Sequence, residues 1–260
     1  MKTLKDICLL HVIAAGFFII FSASESFPVT AEVSPATVAV DSLYHGSRIT
    51  VTGEAEAGDD IIIKFSSPPK KMHLRKKGKQ GGVLWMNVGE LEFDPVSDVY
   101  IVYATKDITA ILSTDQQDTY ALGYDAFKRR VEVSPAANEA EKEKWIDEFL
   151  KFKMKNNTYI VSAGDIETEI TGEKETYKIS VDWPYQAPPQ AYTVTVYAVR
   201  NNIVQSHYET PLNVEKVGAL NFISGMAFNK ASMYGIVSIL IAIAAGFLVS
   251  AIFKGGGGSH

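Results

Sequence analysis

From Phe27 to Thr105 the chain alternates apolar and polar residues in short runs broken by turn residues. In "SRITVTGEA", Ile49 and Val51 fall on one side of an extended chain and Thr50 and Thr52 on the other, because successive strand side chains point to opposite faces. "GDDIIIKFSS" follows a Gly-Asp turn and is apolar enough to predict a strand lying between two layers. "KMHLRKK" alternates again, with Met72 and Leu74 set against His73 and Arg75, and "GVLWMNV" and "DVYIVYAT" complete the set. Turn signals recur about every 8–12 residues, the rhythm of a β-sandwich. "TAEVSPATVAV" carries Pro35, which has no N–H for a ladder, so it predicts an edge strand or a strand that changes sheets.

The period changes after Lys106. "DITAILSTDQQDTYALGYDAFKRRVEV" has no clear two-residue repeat, whereas "NEAEKEKWIDEFLKFKMKN" predicts a helix. Its Trp145, Ile146, Phe149, Leu150 and Met154 form one stripe, and Glu and Lys cover the other side. Asn138 fits the N-cap with Glu141 three residues on, and the acids sit early and the lysines late, as the helix dipole favours. After Asn157 strands return in "TYIVSA", "TYKISVDWP", "AYTVTVYAVR" and "NIVQSHYETPLNVEKV", the last two joined by a tight "RNN" turn into a hairpin. Pro189 to Tyr197 looks like the closing strands of an immunoglobulin- or fibronectin-like sandwich. The expected fold is therefore mainly β: an immunoglobulin/fibronectin-like β-sandwich over residues 27–216 with a helical insertion at about 107–156. Two small domains are the alternative. One sandwich is preferred because four late strands alone leave much apolar face uncovered.

Both ends of the chain are apolar. Lys2 and Lys5, the run Ile7 to Phe21 and the small residues of "SASES" follow the order of an export signal, expected at residues 1–26 and cleaved between Ser22 and Ser26. That run spans roughly 22 Å as a helix, short of a hydrocarbon core of about 30 Å, which argues against an uncleaved anchor. Met233 to Phe253 has no charge and is long enough to cross a bilayer once. Lys254 after it places the C-terminus in the cytoplasm by the positive-inside rule. Along this span Ser238, Ala242, Gly246 and Ser250 recur at i+4, a small-residue stripe that suits helix partnering as well as a plain anchor. Residues 217–232 precede it. There Leu220, Phe222, Ile223, Met226 and Ala227 can share one face with Asn221, Ser224 and Lys230 turned away, an amphipathic helix at the headgroup boundary. Gly218 and Gly225 also allow a flexible linker. Within residues 254–260, "GGGGSH" reads as an engineered linker and the start of a tag.

Composition narrows the chemistry. The one cysteine, Cys8, falls in the signal, which leaves the exported part no disulfide, thiol nucleophile or thiolate metal site. His45, His73 and His207 are far apart and read as surface residues, so no metal site and no cofactor are expected. The formal net charge of −5 makes nucleic acid an unexpected partner. No nucleophile-elbow, zincin, P-loop or dinucleotide motif occurs, and no catalytic residue and no enzyme activity are expected. The unusual stretch is "KKMHLRKKGKQGGVLWMN", with six Lys or Arg residues between Lys70 and Lys79. Alternation puts Met72 and Leu74 inward, and Lys76, Lys77 and Lys79 lie toward "KGKQGG", which reads as a turn. It is either a hairpin with its charged side in water, or a positive surface on Arg75, Lys76 and Lys77, with Trp85 and Asn87 across the turn, for an anion or an acidic partner.

The same stretch, extended to "DDIIIKFSSPPKKMHLRKKGKQGGVLWMN", together with "VYIVYATKDI", "YTVTVYAVRNNIV" and "MYGIVSILIAIAAGFLVSAIF", resembles the Alph_Pro_TM family of transmembrane proteins first described in alphaproteobacteria. The resemblance runs from about Val38 to Phe253, with Leu84 as an extra residue before Trp85 and "SSPP" in place of a more usual Gly-Pro. It implies a genomic association with TauE/SafE-type permeases, held to export sulfite and organosulfur anions. The expected function is an accessory subunit of such a permease. It is single-pass in a bacterial inner membrane, with its main domain in the periplasm and with membrane lipid and the permease as partners. The alternative is a stand-alone envelope module that self-associates through its membrane helix; an enzyme with an unrecognised site is remote.

Overall fold

Pro35 is where the chain changes sheets. In the computed structural model, which describes residues 28–81 and 83–254, β1 (Glu32–Ser34) pairs antiparallel with β3 (Ser47–Glu56). Three residues later β2 (Thr37–Val40) pairs parallel with β13 (Ile203–Lys216) in a different sheet. The expected export signal and the terminal "GGGGSH" lie outside the described residues.

The first sheet runs β1-β3-β11-β10, with β10 at Glu167–Thr171 and β11 at Lys174–Trp183. The second runs β2-β13-β12-β4-β7-β9, with β4 at Asp60–Ser66, β7 at Tyr100–Ala104, β9 at Tyr159–Ala163 and β12 at Ala191–Arg200. Both sheets contain early and late strands, since β3 lies against β11 and β4 against β12, so the residues before and after the helical segment form one sandwich. Every second residue of β11 is buried, the period expected of a strand with one wet face. Its inner residues Tyr177, Ile179 and Val181 meet Ile61, Ile63 and Phe65 of β4 and Val194 and Val196 of β12 in one apolar core. Trp183 closes that core edge-on to Tyr192, with ring centroids 4.8 Å apart.

The second sheet is covered on its other face too, which is why "IIIKF" is apolar without alternation. Ile62, Val102, Tyr197 and Val199 lie under α1 (Ile108–Ile111), α2 (Thr114–Tyr120), α3 (Tyr124–Arg130) and α4 (Glu139–Lys155). Asn138 Oδ1 accepts from Glu141 N at 2.9 Å, and the Glu141 carboxylate reaches back to Ala137 N at 3.0 Å, so the start of α4 is capped from both directions. The buried stripe of α4 departs from the sequence reading at its end. Met154 is exposed and Lys153 is buried, continuing the spacing of Ile146, Phe149 and Leu150. Lys153 Nζ donates to Ser97 O at 3.3 Å and Asp98 O at 3.1 Å, above the rings of Phe149 and Tyr159. Burial lowers its pKa to about 8.

"KMHLRKK" and "GVLWMNV" are not sandwich strands. They form β5 (Lys70–Gln80) and β6 (Leu84–Val96), which with β8 (Glu132–Ser134) make a third sheet beside α4. Pro68 and Pro69, which lack N–H groups, end β4 and send the chain out of the sandwich. The hairpin is held at its base, where Phe93 stacks on Phe149 at 4.7 Å. Ser66 of β4, Thr193 of β12 and Pro211 of β13 share one register at the end of the sheet where β4 stops. The hairpin and the chain leading through Lys216 to the last two helices therefore leave from the same end. Those helices are α5 (Gly218–Asn229) and α6 (Ala231–Lys254), separated by Lys230.

Candidate functional site

Among the described residues, two stretches gather exposed large apolar side chains: the distal half of the β5–β6 hairpin and the helix α6. The hairpin turns at Gly81, whose φ of +62° suits glycine. β5 pairs with β6 as far as Gln80 opposite Leu84, so Lys76, Lys77 and Lys79 are strand residues and not turn residues as the sequence suggested. The ladder continues because Gly78 admits Val88: a Cβ at position 78 would stand 2.8 Å from Val88 Cγ2. The register slips between Lys76 and Lys77, which gives β6 one extra residue there and adds twist.

Charge is divided along the ribbon. Near the base Lys71 donates to Glu92 at 2.7 Å, His73 lies 3.5 Å from Glu90, Lys70 lies 2.7 Å from Asp98, and Arg75 pairs in register with Glu90. From Lys76 to Gly89 the sequence has three lysines and no acid. The expected cluster of Arg75, Lys76 and Lys77 is divided by the strand's own alternation. Arg75 and Lys77 are exposed on one face, while Lys76 is turned to α4, 4.5 Å above the Trp145 ring and 3.6 Å from Glu141. Across the turn, Asn87 Oδ1 accepts from Gly89 N at 3.3 Å, and the side chain of Trp85 is outside the description.

Apolar residues fill the same distal half without cover. Val83 is 82% exposed and Leu84 66%, with Met86 and Val88 about half exposed beside them. Below them a groove of about 370 Å³ runs between hairpin and helix, lined by Leu74, Leu91, Trp145, Phe149 and Phe152. Phe152 is 49% exposed at its edge. Sequence reading missed this groove and the tip. The available signal was "GGVLWM", a glycine turn followed at once by large apolar residues on both sides of a strand.

Ser238, Ala242, Gly246 and Ser250 all lie on α6 and are exposed. Ser238 Oγ donates to Tyr234 O at 2.8 Å, and a Cβ at Gly246 would meet nothing within 4 Å. On α5, Phe222 and Ile223 are exposed, Met226 is half-buried, Phe228 is 85% exposed, and the side chain of Leu220 is outside the description. The described histidines are dispersed: His73 among the hairpin carboxylates, His207 against the rings of Tyr120 and Tyr197, and His45 by Trp183 and Tyr185.

A mainly β domain followed by one apolar helix, Ala231–Phe253, long enough to cross a bilayer, defines a membrane-anchored class of protein. The family described as "Putative transmembrane protein (Alph_Pro_TM)" matches residues 28–255, and the chain belongs to it. Among curated proteins none matches. Among solved structures, the crystal structure of the sporulation control protein Spo0M from Bacillus subtilis is similar with a TM-score of 0.33 and 8% identity, over 78% of this chain and 55% of that one. The chain thus spans about half the length of that structure.

Proposed function

We propose that this protein is a non-enzymatic accessory subunit, single-pass in a bacterial inner membrane with its β-domain in the periplasm and its C-terminus in the cytoplasm. It binds and assists a multi-spanning permease, and the family resemblance makes that permease TauE/SafE-type, for sulfite or organosulfur anions. The observation that carries the reading is the distal hairpin: exposed Val83, Leu84, Met86 and Val88 contribute nothing to the core, and contiguous exposed apolar surface marks an interaction site. α6 adds a second surface within the bilayer, where the small-residue stripe permits close helix approach. That stripe equally favours a second reading, a stand-alone module paired with its own copy through α6. Extraction of the tagged chain in mild detergent separates the two. The first reading expects a multi-spanning protein to copurify and to be lost when Val83, Leu84 and Met86 are changed together to Ser. Recovery of the chain only with itself would replace the first reading by the second.

A further inference from the structure

Lys64 sits in the middle of β4, in the interior of the six-stranded sheet, in a run that is otherwise apolar. Ile61, Ile63 and Phe65 point into the sandwich, so Lys64 points the other way, beneath the helices. Its Nζ donates to Tyr120 O at 2.7 Å and lies 5.4 Å from the Tyr197 ring centroid. Among the described residues no carboxylate stands within ion-pair distance of it, and Glu209 of β13 acts only from farther off. Beside it is a cavity of about 230 Å³, lined also by Ser66, Ser67, Tyr100, Tyr159 and Arg130. That is room for a polyatomic group and not just one water.

Arg130 closes the comparison within α3. Lys128 lies 2.7 Å from Asp147 and Arg129 lies 2.6 Å from Asp118, so two of the three consecutive cations are paired. Arg130 lines the cavity and has no ion-pair partner among the described residues. Two cations from distant parts of the sequence thus meet at one cavity whose other polar groups are hydroxyls. Lysine supplies a point charge and arginine a planar fork, a combination suited to an oxyanion.

We infer that this cavity is a binding site for a small divalent oxyanion, of the sulfate or phosphate kind, held between Lys64 and Arg130 with the Ser66 and Ser67 hydroxyls as neutral donors. The site is separate from the hairpin and does not depend on it. Its pH dependence has a definite sign. Burial lowers Lys64 to about 8, with Glu209 opposing that shift and Arg130 reinforcing it. Tyr197, Tyr100 and Tyr159 around it are raised well above their ordinary value by burial, and His207 packs against the rings of Tyr120 and Tyr197. The cation is therefore present below about pH 8 and lost above it, and a bound anion moves that loss upward.

The test is calorimetric titration of the full chain in detergent with sodium sulfate, at ionic strength held constant with sodium chloride. Sulfate keeps its charge across the range, so only the protein titrates. One site is expected, weakened at least about tenfold between about pH 7 and about pH 9.5. Lys64→Met and Arg130→Gln should each weaken it to a similar degree. Arg130 is exposed, so Arg130→Gln reports even if Lys64→Met fails to fold. Absence of binding by the wild-type chain, for sulfate and phosphate alike, overturns the inference. Binding that Arg130→Gln leaves intact, or that ignores pH, also overturns it.

Discussion

Two long hairpins obey the same local rules and end differently. In β12–β13 the turn is Asn201-Asn202, both in the left-handed region with φ of 52° and 63°, the geometry that matches strand twist. Nearly every residue of β12 is buried, because one face meets the first sheet and the other the helices. In β5–β6 the turn is again formed at a left-handed position, Gly81, and the strands again carry large apolar residues. Here only the base is covered, by Phe149 and Trp145 of α4, and beyond Lys76 and Gly89 the ribbon continues with Val83, Leu84, Met86 and Val88 in the open. Alternation therefore builds a strand but does not determine what covers it. Where a covered ribbon explains its apolar residues by folding, an uncovered one requires another explanation, and the proposed docking is that explanation.

The comparison breaks most sharply by substitution at its two ends. Phe149→Ala removes a fully buried ring from the layer that holds the hairpin base and should cost about 3–5 kcal/mol in urea unfolding of the chain. Leu84→Ser at the uncovered end should change stability by no more than about 0.5 kcal/mol. A large loss from Leu84→Ser would mean that the tip belongs to the fold after all. Next in size, Gly246→Leu blocks close approach along α6 and should weaken self-association or partner association in detergent by about 1–2 kcal/mol, read by co-extraction, while the soluble domain melts as before. The smallest expected effect separates the two faces of the ribbon. Lys76→Gln removes a cation from the Trp145 ring and should cost about 0.5–1 kcal/mol of stability. Arg75→Gln with Lys77→Gln should leave stability unchanged and reduce the salt dependence of partner binding, since exposed charges contribute little to folding.

Much of the domain was legible because it rests on local periodicity. The alternation of Ile49 and Val51, the change of sheet at Pro35, the Asn138 cap and the hairpin at Asn201-Asn202 are each decided within a few residues. What was not legible depends on pairing across long separations. Val133 of β8 joins β6 opposite Phe93 and helps draw the hairpin into a third sheet, which no pattern within residues 70–96 announces. Lys76 was placed with Arg75 and Lys77 because the turn was set too early; one strand position decides which face a lysine takes, and Trp145 and Glu141, which receive it, lie on a distant helix. Lys64 and Arg130 each look ordinary in sequence, and only the fold brings them to one cavity.

The central claim is that the distal β5–β6 hairpin binds a membrane partner while the equivalent end of β12–β13 does not. A photo-crosslinking amino acid placed at Leu84, and in a second variant at Asn201, tests this in intact membranes, because both positions are exposed at hairpin turns and neither belongs to the core. The account predicts an adduct with a multi-spanning membrane protein from Leu84 and none from Asn201. No protein adduct from Leu84, or the same adduct from both positions, would contradict it.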